Sequence, residues 1–329
     1  MITINYLSHQ RKDIYKYWKL TCYYLNKIKP ENKEKIRVNI LATKPYDWGS
    51  ELQGISYKTF YFPDIEVNYM QKINVAVNDS DKYSIKLDDD CFIGSHVWDF
   101  IIENIEVLDD ENNFILTPLL SNNIPHTDRF LETFVEDDEL RNKIHNCYLN
   151  QAMPNGLFGA DYSPLDEYTV RSSEWNSKNF FDGVSRLGTY LKGIHPIRIC
   201  GEAHVLLNNY LVENLERIQE KREYSIKEFT EPYYTTSTFA IRTEEWKRLL
   251  QTPAYDAFDE IQLNMYRQIT GKKFLYVENG FGIHTIYNTL FGNKNPWGIG
   301  LEYGREYELE FVNDLTEKLS EIEKVSSNL

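Results

Sequence analysis

The chain has 329 residues, 42% hydrophobic and 26% charged, long enough to bury a sizeable core without disulfides or structural metals. Against 36 Lys+Arg stand 50 Asp+Glu, and the net charge of −14 argues against a protein whose whole surface grips nucleic acid, while leaving room for a local basic patch. The scattered Cys22, Cys91, Cys147 and Cys200 share no metal-type spacing and read as reduced, buried thiols of a cytoplasmic protein.

The elements follow in order. A strand is expected at Ile2 to Leu7, then a helix over Asp13 to Lys27 with apolar residues at helical spacing. Lys29-Pro30-Glu31-Asn32 turns the chain into a second strand, Ile36 to Ala42. A third strand at Lys58 to Phe62 ends at Pro63, and a helix covers Asn68 to Val77. The fourth strand, Tyr83 to Leu87, runs into Asp88-Asp89-Asp90; a helix at Ser95 to Asn104 and a fifth strand at Phe114 to Pro118 follow. This alternation predicts an α/β fold with a mostly parallel sheet flanked by helices, whose ligands gather beyond the carboxyl ends of the strands. Residues 120 to 200 are polar, aromatic and turn-rich, without clear periodicity, which marks an irregular insertion of functional use. Beyond them come a helix at Glu202 to Lys221, a strand at Thr235 to Ile241, a helix capped by Thr243, and a helix at Phe258 to Ile269 closed by Gly271. A strand at Phe274 to Val277 and an amphipathic helix from Glu308 complete the chain. The amino terminus is too short and polar for a signal segment, and no apolar run approaches the ~20 residues that span a membrane.

Three consecutive carboxylates at a strand end repel one another. A divalent cation with diphosphate oxygens is their natural complement, and such an ion can neutralise a leaving diphosphate. Asp88-Asp89-Asp90, preceded by Gln71-Lys72-Ile73-Asn74 and Tyr83-Ser84-Ile85-Lys86-Leu87, resembles the D-x-D element of glycosyltransferases of the GT-A type. The second half is similar to that family as well. Thr235-Thr236-Ser237-Thr238-Phe239-Ala240-Ile241-Arg242 gives the strand and basic residue, Phe258-Asp259-Glu260-Ile261 the acidic pair opening a helix, and Gly271-Lys272-Lys273-Phe274 the turn into the last strand. His284, in Gly280-Phe281-Gly282-Ile283-His284, stands where the family often has a metal-binding histidine.

The resemblance implies a Rossmann-like GT-A domain that binds a nucleotide diphosphate sugar, uridine-linked, and transfers the sugar to a hydroxyl acceptor with inversion. It implies that Asp88 touches the donor ribose or sugar with Asp89 beside it. Asp90, with Asp88 and His284, would bind Mn²⁺ or Mg²⁺. Lys72 or Lys86 would lie near the phosphates, and Ser8 to Arg11 would hold the base and ribose, with Arg11 as a phosphate or base contact. The family's acidic pair reads Glu-Asp and this one Asp-Glu, so Glu260 takes the catalytic base's place while Asp259 stays open as a substitute.

The expected division is 1–120 for the donor half, 121–232 for the acceptor-side insertion, 233–290 for the catalytic-base half, and 291–329 for a closing loop and helix. The acceptor is either a carbohydrate or a hydroxymethylated base of viral DNA. The compact chain resembles phage-encoded transferases in style, and a virus would place it in the host cytoplasm. The clusters Lys27-Lys29, Lys33-Lys35-Arg37, Lys221-Arg222 and Lys272-Lys273 could form a groove for DNA. The readings from other classes are a metal-dependent phosphohydrolase and a catalytically inert nucleotide-sugar-binding module.

Overall fold

A computed structural model describes residues 1–8, 13–62, 69–121, 126–149, 201–230, 237–251, 259–285 and 301–326. The chain folds as two units. One comprises Met1–Leu119, Lys221–Thr230 and Thr236–Ile283; the other comprises Leu120–Glu220, Glu231–Thr235 and His284–Leu329.

The first unit is built on a sheet. β1 (Ile2–Leu7) is buried along its whole length, and α1 (Ile14–Asn26) follows. Tyr17, Trp18, Leu20, Thr21, Tyr24 and Leu25 form the buried face of α1, the pattern that an apolar stripe at helical spacing produces. Trp18 packs 4.6 Å from Tyr6 of β1, ring centre to ring centre, and its indole N–H donates to the Trp48 carbonyl at 2.8 Å. Fully buried aromatics of this size contribute roughly 1.5–3 kcal/mol each. Those near Tyr6 anchor the last residues of β1, next to Ser8. A short helix, α2 (Pro30–Lys33), starts with proline at its first position, where no hydrogen bond is lost. Then come β2 (Ile36–Ala42), β3 (Ser56–Tyr61), α3 (Tyr69–Asn78), β4 (Tyr83–Asp88), β5 (Cys91–Ile93), α4 (Ser95–Asn104) and β6 (Asn113–Leu120).

After an excursion into the second unit, the chain returns as β7 (Ser225–Glu228), β8 (Thr238–Arg242), α9 (Thr243–Gln251), α10 (Asp259–Thr270) and β9 (Lys273–His284). Among the described residues the strands form one sheet in the order β3-β2-β1-β4-β8-β6-β9-β5, with β7 on β9. β3, β2, β1 and β4 are mutually parallel, and β8 runs antiparallel to both β4 and β6. The expected parallel sheet with helices packed on it is therefore present. The chain moves outward from β1 to β2 to β3 and then steps back to the other side of β1 for β4. That reversal is a topological switch point, and the crevice beyond the carboxyl ends of its two strands is where open sheets bind ligands.

The second unit contains α5 (His126–Phe134), α6 (Asp138–Leu149), α7 (Gly201–Glu213), α8 (Leu215–Ile218) and α11 (Leu301–Ser326). α6 packs on α7, and both α7 and α8 pack on α11. Leu211, Leu215, Phe311 and Leu315 are buried there. α5 and α6 fall in the stretch where periodicity gave no reading, and residues 150–200 lie outside the described ones.

Candidate functional site at the carboxyl edge of the sheet

Strand register sets which side chains meet at the switch point. Leu7 of β1 is level with Asp88 of β4, so Ser8 and the start of the acidic triplet leave the sheet together. Ser8 is buried; its N–H donates to the Leu41 carbonyl at 3.2 Å, and its hydroxyl lies 3.5 Å from that of Thr43, one residue past β2. On the other side of β4, the Asp88 N–H donates to the Ser237 carbonyl at 3.2 Å, and the Thr238 hydroxyl donates to the Lys86 carbonyl at 2.7 Å. The end of β4 is thus held by main-chain bonds from both neighbouring strands.

Asp89 and Asp90 are buried, at 0% and 3% exposure. Lys86 is as deeply buried, at 1%, and its ammonium donates to Asp88 Oδ2 at 2.8 Å. A buried ammonium is costly unless it is paired and hydrogen-bonded, so this contact ties Lys86 and Asp88 to each other. Lys86, one of the two lysines expected near the phosphates, is placed under the triplet as the partner of Asp88. Lys72, the other, lies on α3. Burial lowers its pKa, while the charge of Asp89 acts in the opposite sense, which puts the two within electrostatic reach.

Cys91 begins β5 directly after the triplet, and its thiol donates weakly to Asp90 Oδ1 at 3.8 Å. Burial, followed by the charges of Asp90 and Asp88, pushes the Cys91 thiol well above its ordinary pKa. β9 is the strand next to β5 in the sheet, and the Gly94 N–H donates to the Phe281 carbonyl at 3.2 Å. Asn279 is left-handed at φ 62°, and a Cβ on Gly280 would come within 2.8 Å of Val277, so only glycine fits there without displacement. The strand continues past this irregularity to His284, its last residue, which is buried and donates its backbone N–H to the Ser121 hydroxyl at 3.2 Å. Among the described residues, one group of three possible metal ligands converges: Asp90, Cys91 and His284, whose ligand atoms all lie within 4.8 Å of one another.

Asp90 and His284, expected together, are therefore brought together. Asp88, expected as their third partner, is instead bonded to Lys86, and Cys91 takes the third place in the group. Cys91 was expected as a reduced, buried thiol without metal-type spacing, and it is free and buried. The available signal was its position directly after three acids and before Phe92-Ile93, which opens a second strand where a solvated turn would continue polar. Asp259 and Glu260 are the first two residues of α10. That helix ends at Gly271 (φ 68°), whose N–H donates to the Arg267 carbonyl at 2.8 Å, and the chain enters β9 from there. The acidic pair thus opens a helix of 12 residues, about 18 Å long at 1.5 Å rise per residue, that leads into β9. Arg11 lies outside the described residues.

The fold is thus that of an α/β protein, and a buried group of O, N and S atoms from Asp90, His284 and Cys91 stands beside its switch point. No family model and no curated protein matches the chain. Among solved structures, S. aureus TarS is similar at a TM-score of 0.39 and 10% identity, over 96% of this chain and 70% of that one. An active-site mutant of LgtC is similar at a TM-score of 0.32 and 11% identity, over 96% of each chain. Both are glycosyltransferases, but likeness at this level carries no weight for activity, which rests on this chain's own residues.

Proposed function

We propose that the chain is a metal-dependent glycosyltransferase, taking a sugar from a uridine diphosphate donor at the carboxyl edge of the sheet and passing it to a hydroxyl acceptor with inversion. The observation that carries this reading is the convergence of Asp90, Cys91 and His284 within 4.8 Å beside the β1–β4 switch point. Asp90 and His284 would hold the ion, with Cys91 Sγ as a softer third donor. An imidazole suits Mn²⁺ better than Mg²⁺, which prefers oxygen alone. When bound, the ion would draw charge from the departing diphosphate.

The chain's own residues supply the rest. Asp88, oriented by Lys86, would accept hydrogen bonds from donor ribose or sugar hydroxyls, with Asp89 behind it. Lys72 would face the phosphates, and Ser8 with Arg11 the nucleoside. Glu260 would take the acceptor proton at a helix N-terminus, or Asp259 in its stead. For the acceptor, the placement of basic residues favours a carbohydrate over a hydroxymethylated DNA base. Three of the four lysine-rich clusters stand at the opposite edge, where β2 and β9 begin. Members of these clusters are engaged with acids there: Lys29 with Glu103, Arg37 with Asp79 and Asp81, Lys272 with Glu245, and Lys273 with Glu228.

Thermal stabilisation by a panel of uridine diphosphate sugars with Mn²⁺, followed by transfer assays on oligosaccharides and on hydroxymethylated duplex DNA, tests this. The expected result is stabilisation by one sugar and transfer to an oligosaccharide. Stabilisation by none would sink the donor assignment, and transfer to DNA alone would sink the acceptor.

A further inference from the structure

β9 ends at His284, and its imidazole belongs to the Asp90, Cys91 and His284 group. The last residue of a strand has no ladder beyond it. The direction of its side chain is only as well fixed as the two soft backbone dihedrals on either side of its Cα. Here both sides are held by hydrogen bonds from outside the strand. Before the Cα, the His284 backbone N–H donates to the hydroxyl of Ser121, a buried residue just past β6, at 3.2 Å. After it, the Thr285 hydroxyl donates to Oε1 of Glu308 at 3.2 Å. Glu308 stands in α11, 23 residues further along the chain, and belongs to the same unit as Ser121, His284 and Thr285.

Thr285 is fully buried and Glu308 is 2% exposed. A carboxyl group taken out of water is costly unless hydrogen bonds compensate it, so a glutamate is a poor choice where packing alone is required. A hydrogen bond also supplies direction, which an apolar contact does not. With the peptide before His284 held by Ser121 and the residue after it held by Glu308, φ and ψ of His284 are both constrained. The line along which the imidazole leaves the strand is then constrained as well.

We infer, on the basis of the metal reading proposed above, that Thr285 and Glu308 are positioning residues that aim the His284 imidazole at the ion, Glu308 acting through Thr285. A bond that served only to hold α11 in its unit would contribute to stability and leave ion affinity untouched, so the two roles separate by measurement.

The test uses the full chain, Mn²⁺ affinity read from the electron spin resonance of the free ion, and Tm recorded without metal. Partners that orient metal ligands are worth about 10–100-fold in affinity; Thr285 acts from one residue away, so Thr285→Val should weaken Mn²⁺ binding by about tenfold. Thr285→Ser keeps the hydroxyl and should bind as wild type does. Glu308→Leu removes the acceptor and should match Thr285→Val; it reads the same bond from its other partner should Thr285→Val not fold. Asp90→Asn tests the ion site itself. If wild type binds no Mn²⁺, or Asp90→Asn binds it as tightly as wild type, the metal reading falls and the positioning role with it. If Asp90→Asn loses the ion while Thr285→Val and Glu308→Leu keep wild-type affinity, whether or not their Tm falls, the positioning role alone is overturned. Equal losses in Thr285→Ser and Thr285→Val would overturn it too, because the hydroxyl would then not be the group that matters.

Discussion

The two edges of one sheet treat acidic residues differently. At the amino edge the acids meet cations: Asp79 is bridged by Arg37 and Lys58, Asp81 by Arg37, Asp109 by Lys82, and Glu103 by Lys29. At the carboxyl edge Asp90 gathers a thiol and an imidazole, groups that ligate rather than neutralise. The first arrangement organises surface charge and is worth little per exposed pair. The second is buried, and it is where the proposed metal ion would be held. Acid content alone would not separate the two edges; burial and the identity of the neighbours do.

The largest expected effect comes from the proposed base. Glu260→Gln should lower transfer by about 10²–10⁴-fold while donor binding persists, because the amide keeps the shape and loses the basicity. Asp259→Asn should be milder if Asp259 only orients the acceptor or favours the helix start. Steady-state rates of both variants, read beside donor affinity, decide the roles. If Asp259→Asn is inactive and Glu260→Gln turns over normally, the roles are exchanged; if both stay active, the inverting-base reading is wrong.

Next in size is a stability effect at the carboxyl edge. Lys86→Met removes the ammonium bonded to Asp88 and leaves a largely buried carboxylate without that partner, a change that costs about 3 kcal/mol. Asp88 keeps 16% side-chain exposure, which places the loss at the lower end of the range for buried pairs. Denaturant unfolding measures it. A loss near zero would mean that Lys86 is not the resident cation of Asp88.

The amino edge should respond to acid instead. Lys29 holds the Glu103 carboxyl below its usual pKa, and Lys82 does the same for Asp109. For Glu245, burial pushes upward, but Tyr266, Lys272 and Arg242 outweigh it and the net shift is downward. Folded pKa values below the unfolded ones give stability that is fully present above about pH 4.3 and is lost as pH falls through the folded values. Tm recorded from pH 6 to pH 3 should fall below that point. A flat profile would show that these pairs contribute nothing. Smallest of all, Lys58→Ala at the exposed end of its bridge to Asp79 should change unfolding free energy by less than about 1 kcal/mol.

Much of this contrast was legible in the sequence, for identifiable reasons. β1, β2 and β4 stand within one residue of where alternating apolar positions and the flanking turn residues put them, because the period of two belongs to an extended chain; that their intervening polar residues are buried too is not written in the pattern. Gly271 was readable as a helix stop, since its left-handed backbone favours glycine. β5 and β7, of three and four residues, are too short to carry a period, and their pairing partner β9 is distant in sequence. β9 itself was expected only over Phe274 to Val277, yet the strand runs on to His284, past the left-handed Asn279. That extension places the histidine by strand geometry. The acidic triplet announced itself by residue type; its pairing with Lys86 and the approach of Cys91 depend on burial, which no local pattern encodes.

The most direct test of the central claim is calorimetry of uridine diphosphate binding to the wild-type chain and to Asp90→Asn, each with Mn²⁺ and with a chelator. The account predicts tight binding by the wild type only with Mn²⁺. It also predicts a loss of about 100-fold or more in Asp90→Asn, since even neighbours of metal ligands cost 10–100-fold. Equal wild-type affinity with and without the ion, or an unimpaired Asp90→Asn, would contradict it.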